Sequence, residues 1–359
     1  MNYIVLFSDW TEETYVGLKV IQDTIYFLDK NGWETMVIPY ERKKKLVRIL
    51  LIPYYVMRLL LHPKRGSDLL FVYPFDLSHH TAQRMVKILH SLSWMRSLTM
   101  TAIAIDIESI RWRRGNVADD AGSLRYFDRV ITLSPSMSKL LKAVGYKGST
   151  SPMGLWDYHP SVPCLRKRHN SGSVAFAGNL EKSVFLPSLK DLGLKNVKVL
   201  LYGLPEPVGV CDDHIVYMGF FKSSDLSGLE GSWGLVWDGD TVEALSGYLG
   251  RYMAINSPSK ASLYLAAGMP LIVPAGTAVA EAVRQNGLGI VLESLRDLES
   301  AISGITDTEY ERIAGNVSRY AAGLLEGHNL LAAMSVWNCE SEKLKSDYTA
   351  DQLVRMFAE

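Results

Sequence analysis

The stretch NSPSKASLYLAAGMPLIVP, residues 256–274, decides how the rest of the chain is read. Ser257 is a good helix N-cap, and Pro258 suits a first helical position, where its missing N–H would have no intrahelical partner. An apolar periodic run from Ala261 to Ala267 stops at Gly268, and Pro270 opens the buried strand PLIVP. The spacing predicts a short helix between two strands. Its start offers free N–H groups and the positive end of the helix dipole, to which Lys260 adds a full charge in the first turn. That combination suits a phosphate or diphosphate, and the bland alternative is a capped surface helix with a solvated lysine.

Outward from this stretch, apolar runs of strand length recur between helix-length segments: VAFAG (174–178), VKVLLYG (197–203), HIVYMG (214–219), GLVWDG (234–239) and GIVLES (289–294). The first half has the same pattern in YIVLF (3–7), TMVIP (35–39), DLLFVY (68–73), TAIAID (101–106) and RVITLS (129–134). Near-continuous apolar strands alternating with helices describe parallel sheets covered on both faces. Between the halves, SPMGLWDYHPSVPCLRKRHNSGS (151–173) carries three prolines and little periodicity, and reads as a linker. The expected fold is α/β, two Rossmann-like doubly wound domains facing a cleft. The first covers 1–155 and the second 170–330, with a C-terminal helix near 335–359 packing back on the first. Functional residues belong in loops at the carboxyl ends of the strands.

Composition bounds the rest. The 359 residues carry 38 Lys+Arg and 38 Asp+Glu, which excludes a global polyanion binder, and no motif makes a nucleic-acid case. Cys164, Cys211 and Cys339 have no CxxC spacing, so they give neither a disulfide framework nor a thiolate metal site and point to a cytoplasmic, reducing setting. The start, MNYIVLFSDW, lacks a basic region and a cleavage site, so no signal peptide is expected. Leu46 to Leu61 is broken by Arg48 and Arg58, which leave nine uncharged residues between them against the ~20 a spanning helix needs.

The longer run WGLVWDGDTVEALSGYLGRYMAINSPSKASLYLAAG (233–268), with FAGNLEKS (176–183) and DIESIR (106–111), resembles a bacterial family of GT-B glycosyltransferases. That family comprises galactofuranosyltransferases and the accessory glucosyltransferases that decorate serine-rich adhesins. The resemblance implies transfer of a hexose, glucose or galactofuranose, from a UDP-sugar to a glycan acceptor in cell-surface polysaccharide or glycoprotein synthesis. It also implies donor contacts from Asn179 and Lys182, and from Asn256, Ser259, Lys260, Ala261 and Ser262 at the helix start. Many GT-B enzymes carry Arg at the Asn179 position, so here anion stabilisation falls on Lys182 and Lys260. Tyr217 would stack on the base or bond to backbone, with a core tyrosine as the alternative.

Asp238 and Asp240 form a D-x-D triplet that could hold a divalent cation. Two lysines already supply positive charge, so no metal and no cofactor are expected. Asp238 should face the sugar hydroxyls or Lys260, and Asp240 should be structural. In the first domain, Ser8, Thr14 and Gly17 lie after the first strand, opposite the donor site; Thr14 and Gly17 are candidate donor contacts, Gly17 by letting backbone approach the donor phosphates, and the absence of GxGxxG argues against a dinucleotide. Asp106 and then Glu108 are the candidate general bases for an inverting displacement, with ion pairs to Arg111 or Arg113 as the alternative. The family usually has His where this chain has Ile105.

Residues 41–65, ERKKKLVRILLIPYYVMRLLLHPKR, hold eight Lys/Arg and one acidic residue, Glu41. Basic residues beside a Leu/Tyr-rich helix suit an anionic membrane surface on the inner face and a lipid-linked acceptor, or else a helix packed on the first sheet. Self-association into a homo-oligomer is expected from the relatives. Two other classes stay open: a non-catalytic GT-B assembly partner, and a sugar-nucleotide epimerase.

Overall fold

A computed structural model of the chain describes residues 1–7, 16–38, 45–74, 79–113, 115–336 and 346–357. It divides into two compact units, Met1–Met153 with Leu331–Glu359, and Gly154–Leu330.

The first unit alternates β1 (Asn2–Leu6), α1 (Val16–Lys30), β2 (Trp33–Val37), α2 (Lys45–Leu61), β3 (Asp68–Tyr73) and α3 (His79–Ser93). It continues through β4 (Thr99–Ala104), α4 (Glu108–Arg111), α5 (Val117–Leu124), β5 (Arg129–Thr132), α6 (Pro135–Ala143) and β6 (Ser149–Pro152). The strands form one parallel sheet in the order β2-β1-β3-β4-β5-β6. The central strands are buried on both faces, which is why they read as continuous apolar runs. Local signals set the helix starts: Asn116 and Asp119 form a capping box on α5, and Ser134 caps α6 ahead of Pro135.

The second unit contains β7 (Ser173–Ala177), β8 (Lys198–Tyr202), β9 (Ile215–Tyr217), β10 (Trp233–Leu235), α7 (Gly247–Tyr252), α8 (Ser259–Ala266) and β11 (Leu271–Pro274). After these come α9 (Ala278–Asn286), β12 (Gly289–Leu292), α10 (Leu298–Ser303), α11 (Asp307–Leu324) and α12 (His328–Ser335), which runs on past Leu330. Its six strands are also parallel, in the order β12-β11-β10-β7-β8-β9. One face is packed by Phe176, Phe185, Trp233, Trp237 and Tyr310, the other by Tyr264, Leu265, Met269 and Leu324. The C-terminal α13 (Ala350–Met356) packs on α6, with Ser346 just before it bonded to Ser136 (Oγ to Oγ, 2.7 Å).

Three sequence expectations are corrected. A strand, β6, occupies 149–152, where the polar Ser-Thr-Ser-Pro gives no apolar signal; it sits at the sheet edge, where Pro is tolerated. Residues 154–172 are not a free linker, because arginines fasten them to the second unit. Arg168 donates to the carbonyls of Ala267 (3.1 Å), Gly231 (3.2 Å) and Leu229 (3.1 Å), and Arg166 to those of Leu226 (3.1 Å) and Ser227 (2.7 Å). Finally, Ser257 does not cap α8: Pro258, in extended conformation (φ −61°, ψ 134°), holds that position, and no side chain caps the turn.

Candidate functional site

In the second sheet the growth of strand order reverses between β7 and β10, and open parallel sheets bind ligands in the crevice outside the carboxyl ends at such a point. Small residues bring α8 close to it. Along β7, Val174 and Phe176 face one core while Ala175 and Ala177 face the other. Tyr264 of α8 rests on this small face. The Ala177 N–H donates to Tyr264 Oη at 2.6 Å, and a Cβ on Gly234 would overlap the Tyr264 ring. Burial raises the Tyr264 pKa well above the ordinary tyrosine value, so the phenol stays neutral.

With α8 seated there, Lys260 reaches the crevice. Its Nζ donates to Asp238 Oδ1 at 2.6 Å and to the Trp237 carbonyl at 3.4 Å, and lies 4.9 Å from the centroid of the Phe176 ring. An ammonium has three donors, so this arrangement leaves one for another oxygen. Gly178 lies beside the group: a Cβ there would stand in ordinary contact with Nζ, at 3.8 Å. Gly203, at φ +143°, has to be glycine, because a Cβ would overlap the Gly178 carbonyl oxygen.

The start of α8 adds two orphaned groups. Ser257 and Ser262 are buried, and neither hydroxyl has a hydrogen-bond partner among the described residues. Buried polar groups are nearly always satisfied, so two unpartnered hydroxyls beside one uncapped first turn single this turn out. Asn256 and Ser259 are half-buried beside them. Ala261 offers no ligand-facing group, because its side chain is in the core and its N–H donates to the Pro258 carbonyl at 3.1 Å.

The other expected residues separate. Asp240 packs against Gly247 at the start of α7 and its N–H donates to the Ser246 carbonyl at 3.2 Å, so the two carboxylates of the D-x-D triplet have different neighbours, Gly247 for one and Lys260 for the other. Among the described residues no three His, Cys, Asp or Glu side chains are placed to hold a metal ion. Asn179 closes a turn: its Oδ1 accepts the Lys182 N–H at 3.0 Å, and its carbonyl accepts from Ser183 Oγ at 2.8 Å. Lys182 is exposed next to it. Tyr217 lies on the edge strand β9 and donates to the Gly203 carbonyl at 3.1 Å, one strand beyond β8 from the crevice.

In the first unit the order reverses between β1 and β3. The loops ending those strands, 8–15 and 75–78, lie outside the described residues, and Ser8 and Thr14 with them. Gly17 is in the first turn of α1. Asp106 and Glu108 follow β4, one strand further along, and both are half-buried. Their loop is pinned by Asp120, a buried residue of α5 that sequence reasoning missed. Its carboxylate accepts the backbone N–H of Glu108 (2.8 Å) and Ser109 (3.2 Å) and the Tyr73 hydroxyl (2.6 Å). Burial and then the negative charge of Asp120 hold the Tyr73 phenol protonated. An acid in VADDAG, twelve positions after Glu108, carries no local sign of that role.

Residues 174–335 match the family model for the Glucosyltransferase 3-like C-terminal domain. The chain is 28% identical over 234 residues to the beta-1,6-galactofuranosyltransferase WbbI of Escherichia coli (strain K12), covering 63% of this chain and 68% of WbbI. It is 30% identical over 205 residues to Glucosyltransferase 3 of Streptococcus gordonii, covering 56% of this chain and 58% of that protein, under two thirds of its length. Among solved structures, Anabaena HepE in complex with UDP and glucose superposes with a TM-score of 0.57 at 12% identity, over 93% of this chain and 99% of that one. At such identity the likeness is one of fold, the two-Rossmann GT-B arrangement.

Proposed function

We propose that this chain, whose residues 174–335 match the family model for the Glucosyltransferase 3-like C-terminal domain, transfers a hexose from a UDP-sugar to a glycan acceptor, with the donor diphosphate held between β7 and β10. One observation carries this reading: the Lys260 ammonium, paired with Asp238, stands at the point of strand reversal on a helix whose first turn no side chain caps and beside which two buried serine hydroxyls lack partners. Those groups supply the positive charge and the donors that a departing diphosphate needs.

In the inverting form of the reaction, an acceptor hydroxyl oxygen bonds to the anomeric carbon. The bond from that carbon to the β-phosphate oxygen breaks, and UDP leaves with the electron pair. The acceptor proton passes to the Asp106 carboxylate, with Glu108 as the second candidate. Because Asn179 carries no charge, charge neutralisation rests on Lys260 first and Lys182 second. No divalent cation enters this scheme, so transfer should survive excess EDTA; abolition of transfer that manganese reverses would overturn that part. Glucose and galactofuranose are the two sugars that the names of the relatives support. A lipid-linked acceptor would fit the basic 41–65 segment.

Titration calorimetry with UDP against GDP tests the donor site. UDP should bind the wild type, and at 100-fold excess over Kd it should raise stability by about 2.7 kcal/mol. A crystal soaked with UDP that shows the nucleotide bound away from Lys260 would remove the reading.

A further inference from the structure

Helix α2, KLVRILLIPYYVMRLLL, is apolar on nearly every side. Ile52, Tyr55, Val56, Leu59 and Leu60 are buried, and the helix packs on α3. The opposite face is open: Leu46 is 79% exposed, Leu50 77%, Tyr54 60%, Met57 46% and Leu61 56%. Spacings of three and four keep these five side chains on one stripe. At its far end, the Arg96 guanidinium donates to the Pro63 carbonyl at 3.0 Å, and the Gly66 N–H donates to the Arg96 carbonyl at 2.9 Å. These bonds bring the 3-10 turn Trp94–Arg96 beside the loop that follows α2, with Trp94 75% and Met95 50% exposed. Lys64 and Arg65 are exposed in the same loop, and Lys45 and Arg48 belong to the helix itself.

We propose that this face docks on an anionic phospholipid surface, with α2 lying in the plane of the bilayer interface and Trp94 among the headgroups. A contiguous apolar strip of this length on a folded unit calls for a cover, and aromatic side chains with cations around an apolar helix face match the headgroup boundary. The 17-residue helix is about 25 Å long and interrupted by charge, and among the described residues no helix is long and apolar enough to cross a membrane. Charge selects the occupant. In sequence, residues 41–65 hold eight Lys/Arg against Glu41, so a second copy of the chain would bring like charge to like, whereas lipid phosphates complement it. The proposal rests on the reading of a lipid-borne acceptor only for its purpose; docking itself needs no sugar nucleotide.

Co-sedimentation of the full chain with vesicles of equimolar phosphatidylglycerol and phosphatidylcholine, against phosphatidylcholine alone, tests it at low salt. The wild type should pellet with the anionic vesicles and stay in solution with the neutral ones. Leu50→Asp with Tyr54→Asp should abolish pelleting, and because both side chains are exposed the variant keeps the fold, which an unchanged melting midpoint verifies. Lys64→Gln with Arg65→Gln should weaken binding about 30-fold, two surface cations being lost. Three results would overturn the proposal: no pelleting of the wild type with anionic vesicles, undiminished pelleting of the Leu50/Tyr54 variant, or a dimer in solution that this variant dissolves. UDP calorimetry on the same samples reads the donor site separately, so either reading can fail alone.

Discussion

The two sheets offer their carboxyl ends to chemistry in opposite ways. In the second unit the charged group arrives from the next helix: Lys260 is delivered to Asp238 and the Phe176 ring because Ala175, Ala177 and Gly234 let α8 close on the strands. In the first unit the carboxylates sit on the loop directly after β4, and a distant residue, Asp120, fixes the backbone that carries them. The candidate cation is thus placed by packing, while the candidate acids are placed by hydrogen bonds to the backbone that carries them. The two placements should fail differently.

The largest effect is expected from Asp106→Asn. If the β4 loop carries the base, single-turnover transfer should slow more than about 100-fold with UDP affinity unchanged by calorimetry; near-normal turnover would erase the role assigned to the first unit. Gly234→Ala tests the packing side. Its Cβ must push Tyr264 and α8 away, so denaturant unfolding should show a loss of about 3 kcal/mol, with weakened UDP binding in the fraction that folds. An unchanged midpoint would mean that α8 is not seated by the small face. Lys260→Ala removes the cation without moving the helix, and should weaken UDP about 30-fold, the loss of a charged hydrogen bond.

Asp120→Asn sharpens the other side. The amide keeps one acceptor oxygen but not two, so kcat should fall about tenfold while the KM for donor stays put. A drop in UDP affinity instead would show that the loop serves the donor. The smallest effect concerns neither site. Burial pushes Asp68 up to about 6, against the pull of the Thr101 hydrogen bond and of Arg129. Its folded-state value lies above the unfolded one, near 3.9, so the contribution is complete below about pH 4 and is lost as pH rises through 6. Asp68→Asn should flatten that part of a pH-stability profile.

Much of this was legible in the sequence, for physical reasons. Strands buried on both faces announce themselves, and DLLFVY coincides with β3 residue for residue. The short helix at 259–266 is legible because Pro258 before it and Gly268 after it act within one turn of their own positions. What escaped depends on contacts between remote segments. Ser-Thr-Ser-Pro forms β6 because β5 is beside it, and Asp120 acts through backbone twelve residues away. The anchoring role of Arg166 and Arg168 is invisible within the linker-like stretch because their partners, carbonyls at 226–231 and 267, are more than fifty residues off.

Those arginines bear on where the chain can be cut. A fragment beginning at Ser173 would contain every strand of the second sheet yet lose Arg168, stripping three backbone carbonyls of their donor, one of them just past the end of α8. Scissors set before Gly154 should release a unit that behaves like the intact half, whereas scissors at 170 should yield one that melts early and holds nucleotide poorly.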